Sequence, residues 1–198
     1  HEVIDEFFST VKEKQIKLEE ITDEDTEVII DKIIDDKLGQ GKNYIFTLTA
    51  KYRVLVLRLK RIIKKALKYI IETLVQSRFS VLGTELEFGE KCKYKPIRLT
   101  LEDGKNVEII GKIDRIDTAQ NEDGKYLRII DYKSSVKNID LNEVYAGIQI
   151  QLLTYLDAVC REEDLMPAGI LYFNMLEQII KADKRMEPEK IEEKIKAN

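Results

Sequence analysis

Residues 106–133 read NVEIIGKIDRIDTAQNEDGKYLRIIDYK, and the pattern in this stretch decides the fold. Residues 106–117 and 125–133 are rich in β-branched side chains, and the polar Asn121, Glu122, Asp123 and Gly124 between them read as a turn. Two antiparallel strands are therefore expected. A ladder symmetric about that turn sets Asp117 opposite Arg128 and Asp114 opposite Asp131. The first pair is expected as an ordinary cross-strand ion pair on one face, whereas the second brings two acids together on the other. Like charges so placed are destabilising and raise at least one pKa unless a cation neutralises them. Because side chains alternate along a strand, Lys133 shares the face of Asp131 while Tyr132 points away.

This constellation suits phosphodiester hydrolysis. Carboxylate oxygens hold Mg²⁺ or Mn²⁺, the metal polarises a phosphoryl oxygen and acidifies a bound water, and the lysine positions that nucleophile or stabilises developing charge. Taken alone, the D-x-K triplet is common and reads equally as surface charge on a hairpin, so its setting matters. GKIDRID, then IIDYKSS, then QIQLLTYLDAV, with ELEFGE before and PAGILYFNM after, resemble the RecB-type branch of the PD-(D/E)XK nucleases, and most of all the C-terminal nuclease domain of the AddB type. The resemblance spans roughly residues 1–175 and rests on the order and spacing of the motifs together.

The resemblance implies an α/β fold of the restriction-endonuclease kind, a mixed central sheet flanked by helices behind a helical N-terminal segment. It implies that Asp114 and Asp131 bind metal, that the backbone carbonyl of Tyr132 completes the coordination, and that Lys133 is the catalytic lysine. His1, in HEVIDEFF, matches an upstream histidine that is a metal ligand or lies near it; it also reads as a disordered chain terminus. Gln151 and Tyr155, four apart and so on one helix face, match a pair that contacts DNA or orders the site, while Tyr155 also reads as a core residue packed with Ile148, Leu152 and Leu156. Glu85 matches a further acid, with Glu87 two residues on competing for that assignment. The implied activity is that of a Mg²⁺- or Mn²⁺-dependent exonuclease acting on a single DNA strand beside an AddA-type helicase-nuclease partner. Two alternatives stay open, a silent nuclease-fold module for DNA or partner binding and a Cas4-like or stand-alone RecB-type exonuclease.

Length and composition agree with one domain. At 198 residues and 43% hydrophobic content the chain can bury a sizeable core. It is expected to divide into a helical segment (1–78), a sheet with its crossover helix (79–183) and a C-terminal helix (184–198), as a fragment of a larger protein. Apolar runs are too short to cross a bilayer, and a cytoplasmic home follows by default. Cys92 and Cys160 are far apart and form no C-x-x-C pair. Neither a disulfide framework nor an iron-sulfur cluster is supported within the chain, although the resemblance leaves room for a cluster in the parent protein. A Walker-type phosphate loop is absent, so any motor lies elsewhere.

Net charge is -4, which disfavours indiscriminate binding to nucleic acid. Residues 19–36 are acidic, whereas residues 51–68 (KYRVLVLRLKRIIKKALK) form a basic amphipathic helix, readable as a solvated face, a phosphate-lined wall or a membrane-surface helix. Helices are expected over 1–20, 22–38, 44–77 and 141–163, and strands over 80–88, 97–101, 169–174 and 177–182, all in one sheet, before a charged helix over 187–197. Of the two facing acids, Asp131→Asn is expected to leave metal-free stability intact or raised.

Overall fold

The computed structural model describes residues 1–176, so the strand expected over 177–182 and the helix over 187–197 lie outside the described residues. Three helices come first: α1 (Glu2–Glu13), α2 (Asp23–Leu38) and α3 (Ala50–Gln76). Apolar residues at helical spacing turn Ile4, Phe7, Phe8 and Val11 of α1 inward, with Ile30, Ile33 and Ile34 of α2 and Leu67, Ile70 and Leu74 of α3. Thr22 caps α2 through a reciprocal box, its hydroxyl accepting from the Asp25 amide at 3.1 Å while Asp25 accepts from the Thr22 amide at 3.2 Å. Such a cap stabilises a helix by about 1 kcal/mol.

Strands β1 (Ser80–Phe88), β4 (Gly111–Asn121), β5 (Gly124–Lys133) and β6 (Met166–Asn174) form a mixed sheet in the order β1-β4-β5-β6. The first three are antiparallel, and β6 joins β5 in parallel after a crossover through α4 (Leu141–Tyr145) and α5 (Gln151–Glu163). Helices α1 to α3 pack on one face against Ile130 and Tyr132. Helix α5 covers the other through Leu152, Tyr155, Leu156 and Val159 against Ile116, Leu127 and Ile129. The expected α/β class, a mixed sheet flanked by helices behind a helical N-terminal region, is thus the observed one.

The hairpin register is the expected one from Arg115↔Ile130 to Asn121↔Gly124, including Asp117↔Arg128. Asn121 Oδ1 accepts from the amides of Asp123 and Gly124 and so holds the turn. Other expectations need correction. Among the described residues there are two sheets, since β2 (Ile97–Thr100) and β3 (Asn106–Ile109) pair separately and the run 106–117 breaks at Ile110. The helix expected from residue 44 starts at Ala50, where Thr49 caps it and a 3-10 helix (Gly41–Thr47) precedes it. The helix expected over 141–163 is two, because Gly147 adopts φ +76 and the Ile148 amide returns to the Glu143 carbonyl, a left-handed helix stop.

Nor is the Asp117–Arg128 pair ordinary. Asp117 is fully buried between Arg128 Nη2 at 2.9 Å and Arg115 Nε at 3.0 Å. Burial raises its pKa, while the two guanidiniums oppose that rise. The basic helix is also less free than its sequence suggests. Lys60 pairs with Asp31 and Asp35, Lys64 with Glu27 and Asp31, and Lys68 with Asp23, so acidic α2 neutralises much of that face of α3. No helix among the described residues is long and apolar enough to cross a membrane.

Candidate active site

Beyond Arg115↔Ile130 the β4–β5 ladder stops, and a side chain takes over from the backbone: Asp114 Oδ2 accepts the Tyr132 amide at 2.7 Å. Asp114 is therefore not simply set across from Asp131. Its other oxygen, Oδ1, lies 3.2 Å from His1 Nδ1 at the head of α1. Glu85 reaches in from β1, its Oε1 3.9 Å from the same nitrogen. One ligand atom each from His1, Glu85 and Asp114 lies within 4.8 Å of the others.

The backbone explains how Glu85 gets there. Glu85 has φ +50, and the β1–β4 register shifts between Val81 and Gly83. A residue in the left-handed region breaks the alternation of a strand and re-aims its side chain, at a cost of order 1–3 kcal/mol. Glu87, the competing acid, is exposed and takes the Cys92 thiol instead.

Asp131 stands outside the triad of ligand atoms. It is 8% exposed, and its Oδ2 pairs with Lys133 on the same face of β5. Asp131 and Glu85 both act on Asp114, whose pKa burial, first of all, pushes up to about 6; the hydrogen bond from the Tyr132 amide partly offsets this. For Lys133 burial works against the ammonium, but the hydrogen bond and charge of Asp131, with Asp114 behind, outweigh it and hold its pKa above the ordinary value.

Tyr132 points to the helical face, as alternation expects. Its hydroxyl accepts from Arg115 Nη1 at 3.0 Å, and its ring meets His1 edge-on at 5.7 Å. Gln151 and Tyr155 do share a face of α5, with Gln151 Nε2 donating to the Tyr155 hydroxyl at 3.1 Å. The ring of Tyr155 is buried against Phe88, and its hydroxyl fills the space where a Cβ on Gly111 would stand. These contacts tie the pair to the start of β4 rather than to the carboxylates. Ile148, expected in that core, is exposed.

Three participants escaped the sequence reading. The Thr84 hydroxyl donates to Asp5 and ties α1, with His1 at its head, to β1 beside Glu85. Arg115, between the two aspartates of GKIDRID, is buried and anchors Tyr132. Lys112 pairs with Glu85 Oε2; its position two residues before Asp114 on one strand was the available signal.

The acids fit a divalent cation. Glu85 Oε1 is buried without a hydrogen-bond donor, Asp131 Oδ2 is buried against the Lys133 ammonium, and hard carboxylate oxygens with an imidazole are what such an ion takes. Among the described residues, neither cysteine joins a group of metal-ligating side chains.

A mixed sheet with acids from β1, β4 and β5 at one end, and a lysine two residues after the last acid, marks a class: the chain belongs to the PD-(D/E)XK nuclease superfamily, whose family model matches residues 1–197. Among individual proteins it is 41% identical, over 98% of its length, to the AddB-type ATP-dependent helicase/deoxyribonuclease chain of Clostridium novyi (strain NT). It is 38% identical to the corresponding chain of Caldanaerobacter subterraneus subsp. tengcongensis over 98% of its length, and 37% to that of Clostridium tetani over 96%. It is thus a PD-(D/E)XK nuclease domain homologous to AddB-type subunits. The chain spans 18% of the first of these relatives and 17% of the other two.

Proposed function

We propose that the chain is a Mg²⁺- or Mn²⁺-dependent deoxyribonuclease that hydrolyses phosphodiester bonds of a single DNA strand. The observation that carries this reading is the convergence of His1, Glu85 and Asp114 beside the Asp131–Lys133 pair, with the buried Glu85 Oε1 lacking a hydrogen-bond donor. His1, Asp114 and Asp131 would hold the ion, with Glu85 and the Tyr132 carbonyl completing the set. Such an ion supplies a water of lowered pKa and a polarised phosphoryl oxygen. Lys133, kept cationic by Asp131, stabilises negative charge at the phosphate and orients the attacking water. Asp114 keeps its place because its second oxygen holds the Tyr132 amide. Gln151 and Tyr155 order the start of β4 and, through it, the strand that carries Asp114.

The relatives are named as subunits of an ATP-dependent helicase/deoxyribonuclease, which supports a setting in a helicase-nuclease complex. On our reading that complex is cytoplasmic, pairs the chain with an AddA-type partner and degrades one strand of a resected double-strand end exonucleolytically during recombinational repair. Residues 1–198 then act as one nuclease unit of that assembly. The test is direct. The purified chain is incubated with end-labelled single-stranded DNA and Mg²⁺ or Mn²⁺, beside Asp131→Ala. Wild-type cleavage that needs the ion and vanishes in the variant is expected; cleavage that persists in Asp131→Ala overturns the mechanism.

A further inference from the structure

Lys112 stands two residues before Asp114 on β4, so the two side chains leave the same face of the strand. Its ammonium pairs with Glu85 Oε2, yet the side chain is 47% exposed where that of Glu85 is 15% exposed. Lys133 holds Asp131 on the β5 side and is 33% exposed. The carboxylates are thus bracketed by two ammoniums, and the one on β4 faces more solvent.

A polyanion reaching this centre meets Asp114, Asp131 and Glu85, with Glu87 and Asp5 also near Lys112. A divalent ion on the carboxylates draws off the charge that holds Lys112, because attraction to a neutralised carboxylate is weaker. A phosphate oxygen is the natural replacement, offering the ammonium a charge-assisted hydrogen bond of the same kind. We infer that Lys112 is a substrate-positioning residue: with the ion in place, its ammonium exchanges Glu85 for a backbone phosphate of the bound DNA strand.

The inference rests on the nuclease reading above, and the experiment keeps the two apart. Lys112→Met and Lys112→Arg are compared with wild type at saturating Mn²⁺ on a single-stranded oligonucleotide over a range of KCl. Mn²⁺ affinity is measured by calorimetry without DNA. For Lys112→Met, KM rises about fivefold while kcat stays within about twofold. The plot of log kcat/KM against log salt becomes shallower by about 0.7, the share of one phosphate contact on a single strand. Mn²⁺ affinity does not fall, and Lys112→Arg restores the slope. An unchanged slope overturns the inference, and an unchanged slope with weakened Mn²⁺ binding reduces Lys112 to an anchor for Glu85. Wild-type chain that neither binds Mn²⁺ nor cleaves sinks the nuclease reading and this inference with it, whereas wild-type cleavage with an unaltered variant sinks the inference alone.

Discussion

Asp114 serves two masters, the Tyr132 amide through one oxygen and His1 through the other, and its pKa is pushed up to about 6. The folded value lies above the ordinary 3.8, so the folded state holds its proton more tightly than the unfolded chain. By linkage, the contribution of this group to stability falls as pH rises from about 4 to about 6 and stays low above that. Asp114→Asn keeps an oxygen for the amide and removes the charge. Its melting temperature without metal should therefore exceed wild type at pH 8, by an amount that shrinks toward pH 4; a difference of up to ~3 kcal/mol is the ceiling set by a shift of that size. Saturating Mn²⁺ should reverse the order. The same reasoning cannot be carried to Asp131, for which the sequence suggested it, because Asp131→Asn strips Lys133 of its carboxylate. Which of two facing acids carries the burden was not legible in alternation alone.

At the scale of elements, α1 is held to β1 by the Thr84 hydroxyl on Asp5, one turn along from His1. Thr84→Val keeps the shape of the side chain and removes the donor. Calorimetry should show Mn²⁺ affinity falling about tenfold, the range found when an outer hydrogen bond orienting a ligand is lost, while Thr84→Ser stays near wild type. An equal loss in both variants would assign the effect to packing. Much at this scale was readable beforehand. The bounds of β1 and the hairpin register follow from strand and turn chemistry that is local in the chain. What escaped is non-local or breaks a residue preference. Helix α1 stops early because Gln15 takes φ +54 and the Ile16 amide returns to the Val11 carbonyl, a stop that glycine usually announces. Asp164 ends α5 in the same way, at the boundary after Glu163 that was expected. Glu85 enters the site through a backbone state that no strand pattern encodes, and Asp117 read as half of an ordinary cross-strand pair because alternation does not reveal how deeply the fold buries it beside Arg115.

Across the whole molecule, the acidic and basic runs seen in sequence face each other on α2 and α3. The net charge of -4 is therefore not split into a bare basic wall and a bare acidic one. The cations around the carboxylates and the ion itself are then one source of attraction for a nucleic acid. A stabilising ligand raises the folded population by mass action, so Mn²⁺ at about a hundred times its dissociation constant should add ~2.7 kcal/mol to the unfolding free energy. The melting temperature should climb with Mn²⁺ and return with a chelator, and absence of any such shift would count against an ion site in the fold.

Two separately packed cores lie on opposite faces of the sheet, and the candidate ligands do not belong to one of them. His1 rides on the helical layer, Glu85 and Asp114 on the strands, and more than a hundred residues of chain separate the first from the last. An ion gripped by all three would thus be a rivet through the laminate, closing one of the longest loops the chain offers.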